Sequence, residues 1–258
     1  MRALALILGF ILLSGCAVSP NIARQDLHGR PGELNFQVGE ERLDQPLIIA
    51  LHGSSGNSIQ FQVQSDLVGR VHRAGYRLAL VNGQPWDNPL TYYGQQRSWN
   101  SGNCCWDRPE DDVAYLTQVI ERLQTGVLGN GRKVILVGHS NGAMMSYLLM
   151  CRRPDLIHGV VGVAGTVSFD GCTPSRTRII HIHGDRDQTV PLEGDMDLSD
   201  GRNFESLAIQ QALFNRTGIR GETLIVMGVD HPLQAINDGL IHQYNFSITD
   251  KVLELAGR

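Results

Sequence analysis

Along the chain, short apolar runs alternate with longer stretches of helical period. Pro46–Leu51 (PLIIAL), Arg77–Val81, Lys133–Val137, Val160–Ala164, Arg178–Ile182 and Thr223–Met227 are brief, largely β-branched runs. They lack the in–out alternation of a half-exposed strand, which predicts strands buried on both faces. Between them, apolar residues recur every three or four positions. Ser58–Ala74 does so through Ile59, Val63, Leu67 and Val71, with Gly75 as its stop. The segment opened by Pro109 does so through Val113, Leu116, Ile120 and Leu123, and the one after Gly142 through Ala143, Met144, Tyr147, Leu148 and Cys151. Phe204–Phe214 and Ile248–Leu255 complete the predicted helices. Strands alternating with helices predict an α/β domain: a doubly wound, mostly parallel sheet flanked by helices, with no separate cap domain. One stretch breaks the rhythm. Gln84–Pro109 has no period, yet it holds all three tryptophans, Tyr92, Tyr93 and the Cys104-Cys105 pair. A loop this long inside a compact domain points to function. It is expected to wall a substrate cleft, with Trp99 and Trp106 as binding residues.

The densest chemical signal is Gly138-His139-Ser140-Asn141-Gly142, placed between a predicted strand and a predicted helix. Strand, glycine-flanked serine and helix are the setting of a nucleophile elbow. The turn is so tight that side chains at Gly138 and Gly142 would strike neighbouring backbone. Ser140 then projects at a helix N-terminus, where N–H groups and the helix dipole favour developing negative charge. The bland alternative is a glycine-rich turn capped by Ser140.

Two other loops fit the same chemistry. The first strand runs into His52-Gly53-Ser54-Ser55-Gly56-Asn57. Position makes the Ser54 N–H, with Gly53 close behind, the partner of the Asn141 N–H in an oxyanion hole. His52 is expected to fix the loop. Downstream, the strand through His181 and His183 delivers Gly184-Asp185-Arg186-Asp187, stopped by Val190-Pro191. An acid after the nucleophile suits the chain order Ser, Asp, His. Asp187 is the better candidate, and Asp185 is expected to brace backbone N–H groups. His181 and His183 are expected to be structural; their spacing would suit zinc, but no third ligand accompanies them. Past the last predicted strand, His231 is the candidate general base, with His242 as its rival. Asp111 and Asp112 are expected to cap a helix.

Composition narrows the class. In 258 residues the net charge is −4, and Lys and Arg are scattered, which excludes the basic stripe of a nucleic-acid-binding surface. Met1-Arg2 followed by Ala3–Leu13 reads as an export signal, too short to span a bilayer. It ends Leu13-Ser14-Gly15-Cys16, similar to the lipobox of bacterial lipoproteins, so Cys16 is expected to carry lipid. Residues 1–15 are then the signal peptide, 16–30 a tether and 31–258 the catalytic domain. The expected location is the bacterial cell envelope, at the outer membrane or periplasm. Export leaves Cys104, Cys105, Cys151 and Cys172 for two disulfides. A bond between adjacent Cys104 and Cys105 would close a strained ring, so each is expected to pair with Cys151 or Cys172.

Taken together, LHGSSGN, the WNSGNCCW and DDVAYL block, GHSNGAMMSYLLMC and HGDRDQTVP resemble the polyhydroxybutyrate depolymerase and feruloyl esterase-like family of α/β hydrolases, over Pro46 to His231. The double-cysteine block is the most distinctive part. The sequence departs from the family pattern at Ala143, where a second glycine is usual, and in the VDHPLQ text around His231. The resemblance implies Ser140 as nucleophile, Asp187 as acid, His231 as base and disulfides at the double cysteine. It implies a carboxylic ester hydrolase acting without metal or cofactor on feruloyl or acetyl esters of polysaccharides, or on short hydroxyalkanoate esters. The rival classes are a catalytically silent envelope lipoprotein of the same fold and a serine peptidase. The acyl group, the alcohol and the oligomeric state are left open at this stage.

Overall fold

The structure, a computed structural model, describes residues 34–38, 42–85, 96–104, 111–127, 129–195 and 204–257. Its strands are β1 (Leu34–Val38), β2 (Leu47–Leu51), β3 (Arg77–Val81), β4 (Gln84–Pro85), β5 (Arg97–Ser98), β6 (Val134–His139), β7 (Ile157–Val163), β8 (Arg178–Gly184) and β9 (Arg220–Val226). The helices are α1 (Ser58–Gln64), α2 (Leu67–Ala74), α3 (Asp112–Leu123), α4 (Asn141–Arg152), α5 (Leu207–Arg216), α6 (Leu233–Tyr244) and α7 (Ile248–Gly257). Seven strands form one sheet in the order β1-β3-β2-β6-β7-β8-β9, and only β1 runs antiparallel.

Strand β2 shows why the runs lack alternation: all five of its residues are buried. Leu47, Ile49 and Leu51 face the core shared with α3, α4 and α5, whereas Ile48 and Ala50 face the core shared with α1, α2, α6 and α7. Both faces of the sheet are therefore covered, which is the condition for a parallel sheet in water. The structure has the predicted doubly wound α/β architecture. Because the strands are parallel, their C-terminal ends converge on one edge. There the loops after β2, β6, β8 and β9 meet, as ligand-binding loops of open α/β sheets do.

Two expectations are corrected here. Ser58–Ala74 is two helices rather than one. Ser65 is extended at φ −130°, and its hydroxyl donates to the Phe61 carbonyl at 2.8 Å, closing α1. Asp66 then accepts from the Thr249 hydroxyl of α7, which sets α2 at a new start. The second correction is the disulfide pairing. Cys151, at the end of α4, is bonded to Cys172, with Cα atoms 4.5 Å apart. The Thr173 N–H donates to the Cys151 carbonyl at 3.1 Å and draws the segment against the helix end. Neither cysteine is free for the double-cysteine pair. Cys104 is itself disulfide-bonded, to a partner outside the described residues. Cys16, Cys105 and Trp106 also lie outside them. Among the described residues, no helix is long and apolar enough to cross a membrane.

Candidate active site

Ser140 sits between β6 and α4 with φ 55° and ψ −125°. A non-glycine residue in that conformation carries strain, held here by its surroundings. Those surroundings are backbone. A Cβ on Gly138 would lie 2.2 Å from the Gly142 carbonyl oxygen, and a Cβ on Gly142 would lie 2.2 Å from the Leu51 carbonyl oxygen. The Ser140 N–H donates to the Val163 carbonyl at 2.8 Å, which ties the elbow to the neighbouring strand.

The Asn141 N–H is the first donor of α4 and, like the Ser54 N–H, has no acceptor among the described residues. Both are available to a negatively charged oxygen beside Ser140. What fixes them is the segment 98–101. The fully buried Asn141 side chain accepts from the Trp99 N–H at 2.8 Å and the Ser98 hydroxyl at 3.0 Å. It donates to the Trp99 carbonyl at 3.1 Å and to Ser101 Oγ at 3.0 Å. Trp99 Nε1–H donates to the His52 carbonyl at 2.9 Å, and Ser98 Oγ lies 3.2 Å from Ser54 Oγ. Trp99 is 0% exposed. The expectation that it lines a substrate cleft is therefore corrected: it is a buried strut between the 52–57 loop and the Ser140 elbow. Its indole N–H has a partner in the interior, as a buried tryptophan requires. His52 is neutral, because burial lowers its imidazole to about 4. Its Nδ1–H donates to the Gly53 carbonyl at 2.8 Å, and its Nε2 accepts from the Gly83 N–H at 3.0 Å.

Across the edge, Asp187 and His231 come together. His231 Nδ1–H donates to Asp187 Oδ2 at 2.8 Å, and the other oxygen of Asp187 accepts from the Thr189 and Val190 N–H groups at 2.9 and 2.8 Å. The Asp187 carboxylate is 0% exposed. Burial alone would raise its pKa, but hydrogen bonds from His183, His231 and the backbone outweigh it and hold the group well below the ordinary carboxylate range. Asp185 accepts from the Gly228 N–H and is thus a loop brace. Asp230 binds the Gln188 N–H at 3.1 Å and the His231 N–H at 2.7 Å, which stitches the acid loop to the base loop. His242 lies far along α6, exposed.

Ser140 and His231 line one cleft of 220 Å³, with residues of the 52–57 loop, His139 and the side of α1. No hydrogen bond joins Ser140 Oγ to His231 in this structure. Such contacts commonly tighten only with substrate in place. A serine at a strained elbow, two oriented amides and an imidazole backed by a buried carboxylate together are able to support acyl transfer. Among the described residues, no cluster of side chains is suited to hold a metal.

Several residues of the site were not read from the sequence. His139 Nε2–H donates to the His231 carbonyl at 3.0 Å, and the two rings lie 5.0 Å apart. His183 reaches Asp187 Oδ2 at 3.2 Å; its place four residues before the acid was the available signal. Asp111 caps α3 by accepting from the Ala114 N–H at 2.9 Å, while buried Asp112, in the first turn, holds the Asn100 N–H at 2.7 Å.

Known proteins resemble this chain in parts of its sequence and in its fold. Residues 107–200 match the model of the phospholipase/carboxylesterase family, a window that holds Ser140 and Asp187 and stops short of His231. The "Probable feruloyl esterase C" of Aspergillus terreus is 28% identical over 200 residues, covering 72% of this chain and 66% of that protein. Feruloyl esterase C of Emericella nidulans is 28% identical over 142 residues, 49% of this chain and 50% of that one. The matches thus span less than two thirds of these relatives' own length. Est1E from Butyrivibrio proteoclasticus, solved with ferulic acid bound, shares the fold, with a TM-score of 0.57 at 14% identity over 90% of this chain and 98% of that one. The chain thus shares its fold with solved esterases, and parts of its sequence are similar to curated feruloyl esterases.

Proposed function

We propose that this protein is a serine esterase that hydrolyses carboxylic esters through an acyl-enzyme. The observation that carries the proposal is the shared cleft: strained Ser140 and Asp187-backed His231 open onto it together. In this reading His231 Nε2 takes the Ser140 proton as Oγ bonds to the ester carbon, and the Asn141 and Ser54 N–H groups hold the oxyanion. The carbon–oxygen bond to the alcohol then breaks, and the alcohol leaves with the proton from His231. Water repeats the steps, releasing the acid and restoring Ser140. Asp187 keeps the imidazole in the Nδ1–H tautomer and stabilises the imidazolium. The names of the relatives support a feruloyl or related acyl group. The resemblance in the motifs extends the class to acetyl esters of polysaccharides and short hydroxyalkanoate esters. The proposal includes attachment to the cell envelope through lipid on Cys16, supported by the leader sequence and its Leu13-Ser14-Gly15-Cys16 ending.

The test is hydrolysis of p-nitrophenyl acetate and methyl ferulate by the mature protein beside Ser140→Ala. A loss of about 10⁴–10⁶-fold is expected in the variant, as for other serine hydrolases stripped of their nucleophile. Wild-type rates in folded Ser140→Ala would overturn the assignment. Membrane partitioning of the full-length protein, lost in Cys16→Ala, checks the anchor.

A further inference from the structure

Behind Asp187, on the side away from His231, four polar side chains continue inward where an apolar core would be expected. His183 and His181 lie two residues apart on β8, so both point to the same face of the sheet. Both are 0% exposed, as is Tyr147 of α4, and Gln210 of α5 is 1% exposed. Their hydrogen bonds form a chain: Tyr147 Oη to His181 Nδ1 at 2.7 Å, His181 Nε2 to His183 Nδ1 at 3.1 Å, and His183 Nε2 to the Val190 carbonyl at 2.8 Å, with Asp187 Oδ2 in ion-pair contact 3.2 Å from the same nitrogen. Gln210 Nε2 also reaches His181 Nδ1, at 3.2 Å. Space for the tyrosine hydroxyl comes from Gly162 of β7, where a Cβ would lie 2.0 Å from it.

The direction of the chain follows from what surrounds its outer end. His183 Nε2 faces two oxygens that can only accept, the Val190 carbonyl at 2.8 Å and the Asp187 carboxylate. It must therefore carry a proton. In the neutral ring Nδ1 is then an acceptor, so His181 must place its own proton on Nε2. That leaves His181 Nδ1 as an acceptor, which the Tyr147 hydroxyl and the Gln210 amide satisfy. A proton added to His183 Nδ1 would face the His181 Nε2–H, and one added to His181 Nδ1 would face the Gln210 amide and turn the Tyr147 hydroxyl from donor to acceptor. Burial works the same way, holding His181 well below its ordinary pKa and Tyr147 above its own. The remaining titratable neighbours are His231, from the loop before α6, and His139, at the end of β6, whose imidazole burial lowers to about 4.

We propose that Tyr147, His181 and His183 form a one-directional hydrogen-bond chain that acts as a second donor arm on Asp187 and so sets the pH at which His231 becomes a base. This rests on the triad reading above. Asp187 Oδ2 accepts from His231 Nδ1–H at 2.8 Å and lies 3.2 Å from the His183 Nε2–H that the Val190 carbonyl also draws. Every increment of charge drawn by His183 is unavailable to the His231 imidazolium, so the arm weakens the carboxylate's hold on the catalytic proton. These are positioning residues: none touches the cleft.

Two measurements test it. Nitrogen NMR of the ring atoms in the wild-type protein is expected to show His181 and His183 as neutral Nε2–H tautomers from pH 5.5 to 9. A cationic form, or an Nδ1–H tautomer of either, would overturn the chain. The pH profile of kcat/KM for methyl ferulate tests the consequence. In His183→Leu, which removes the donor, the acidic limb is expected to move up by about half a unit to one unit. In His183→Gln, whose amide can donate in place of Nε2, the limb is expected to return to the wild-type position. A folded His183→Leu with an unmoved limb would sink the proposal, since a purely structural role predicts lost stability without a shift. If that variant does not fold, the tautomers of the wild-type protein decide. They need no turnover, so failure of the chain is separable from failure of the esterase reading, which Ser140→Ala decides.

Discussion

Around Ser140 the restraint is steric: two glycines, on which a Cβ would lie 2.2 Å from a backbone oxygen, flank a residue held at φ 55°. Around His231 it is polar: Asp187 gathers two backbone N–H groups and two imidazoles, and Asp230 ties one loop to the other. The two halves face the same cleft, yet they depend on different physics. Steric restraint is marked by the glycines beside Ser140, although Gly142 is confined by the distant Leu51 carbonyl, and it fails all at once when a methyl group is added. Polar restraint is assembled from distant residues, and it fails in function before it fails in fold.

That contrast can be broken by experiment. Asp187→Asn is expected to lower kcat/KM by about 10⁴-fold with the fold retained, because the amide keeps the oxygen facing Thr189 and Val190 but no longer holds the His231 tautomer. Activity and circular dichroism measured together check this; loss of fold in parallel with activity would contradict it. Gly142→Ala is expected to do the reverse and destabilise the protein by about 4 kcal/mol, the scale of a severe steric conflict with backbone. A urea midpoint equal to wild type would show that the elbow has slack. The smallest effect sharpens the comparison by asking whether the nucleophile half has a polar component at all. His52 lies under the oxyanion loop with a folded-state pKa lowered to about 4 from 6.5. Between these values the unfolded chain binds the proton and the folded one does not. Its contribution is therefore complete above pH 6.5 and is lost as the pH falls towards 4, at a cost of about 3 kcal/mol. Urea midpoints at pH 7, 5 and 4 measure the loss, and His52→Gln should flatten it.

The same contrast explains what could be read from the sequence. The buried strands and the elbow were legible because their causes are local: apolar runs, and glycines beside the serine. Splitting of the Ser58–Ala74 helix was not, since Asp66 answers to Thr249, far away in the chain. Nor was the disulfide pairing, which depends on Thr173 meeting the end of α4. Trp99 misled because an aromatic residue in a long irregular segment looks like a binding surface. Only the fold shows that its ring is enclosed and its N–H already engaged. His181 and His183 were read as structural, but sequence spacing alone could not supply the tyrosine, the glutamine and the carboxylate that give them an order.

The strut at 98–101 has a mechanical consequence. Ser98 lies on β5, which pairs with β4 in a miniature two-stranded sheet. Strand β5 runs straight into Trp99 and its grip on His52 and Asn141. The β4–β5 pair and the Ser54 and Asn141 amides are therefore links of one lever. Loosening the β4–β5 pairing pulls first on the turnover rate, and substrate affinity is the lesser casualty.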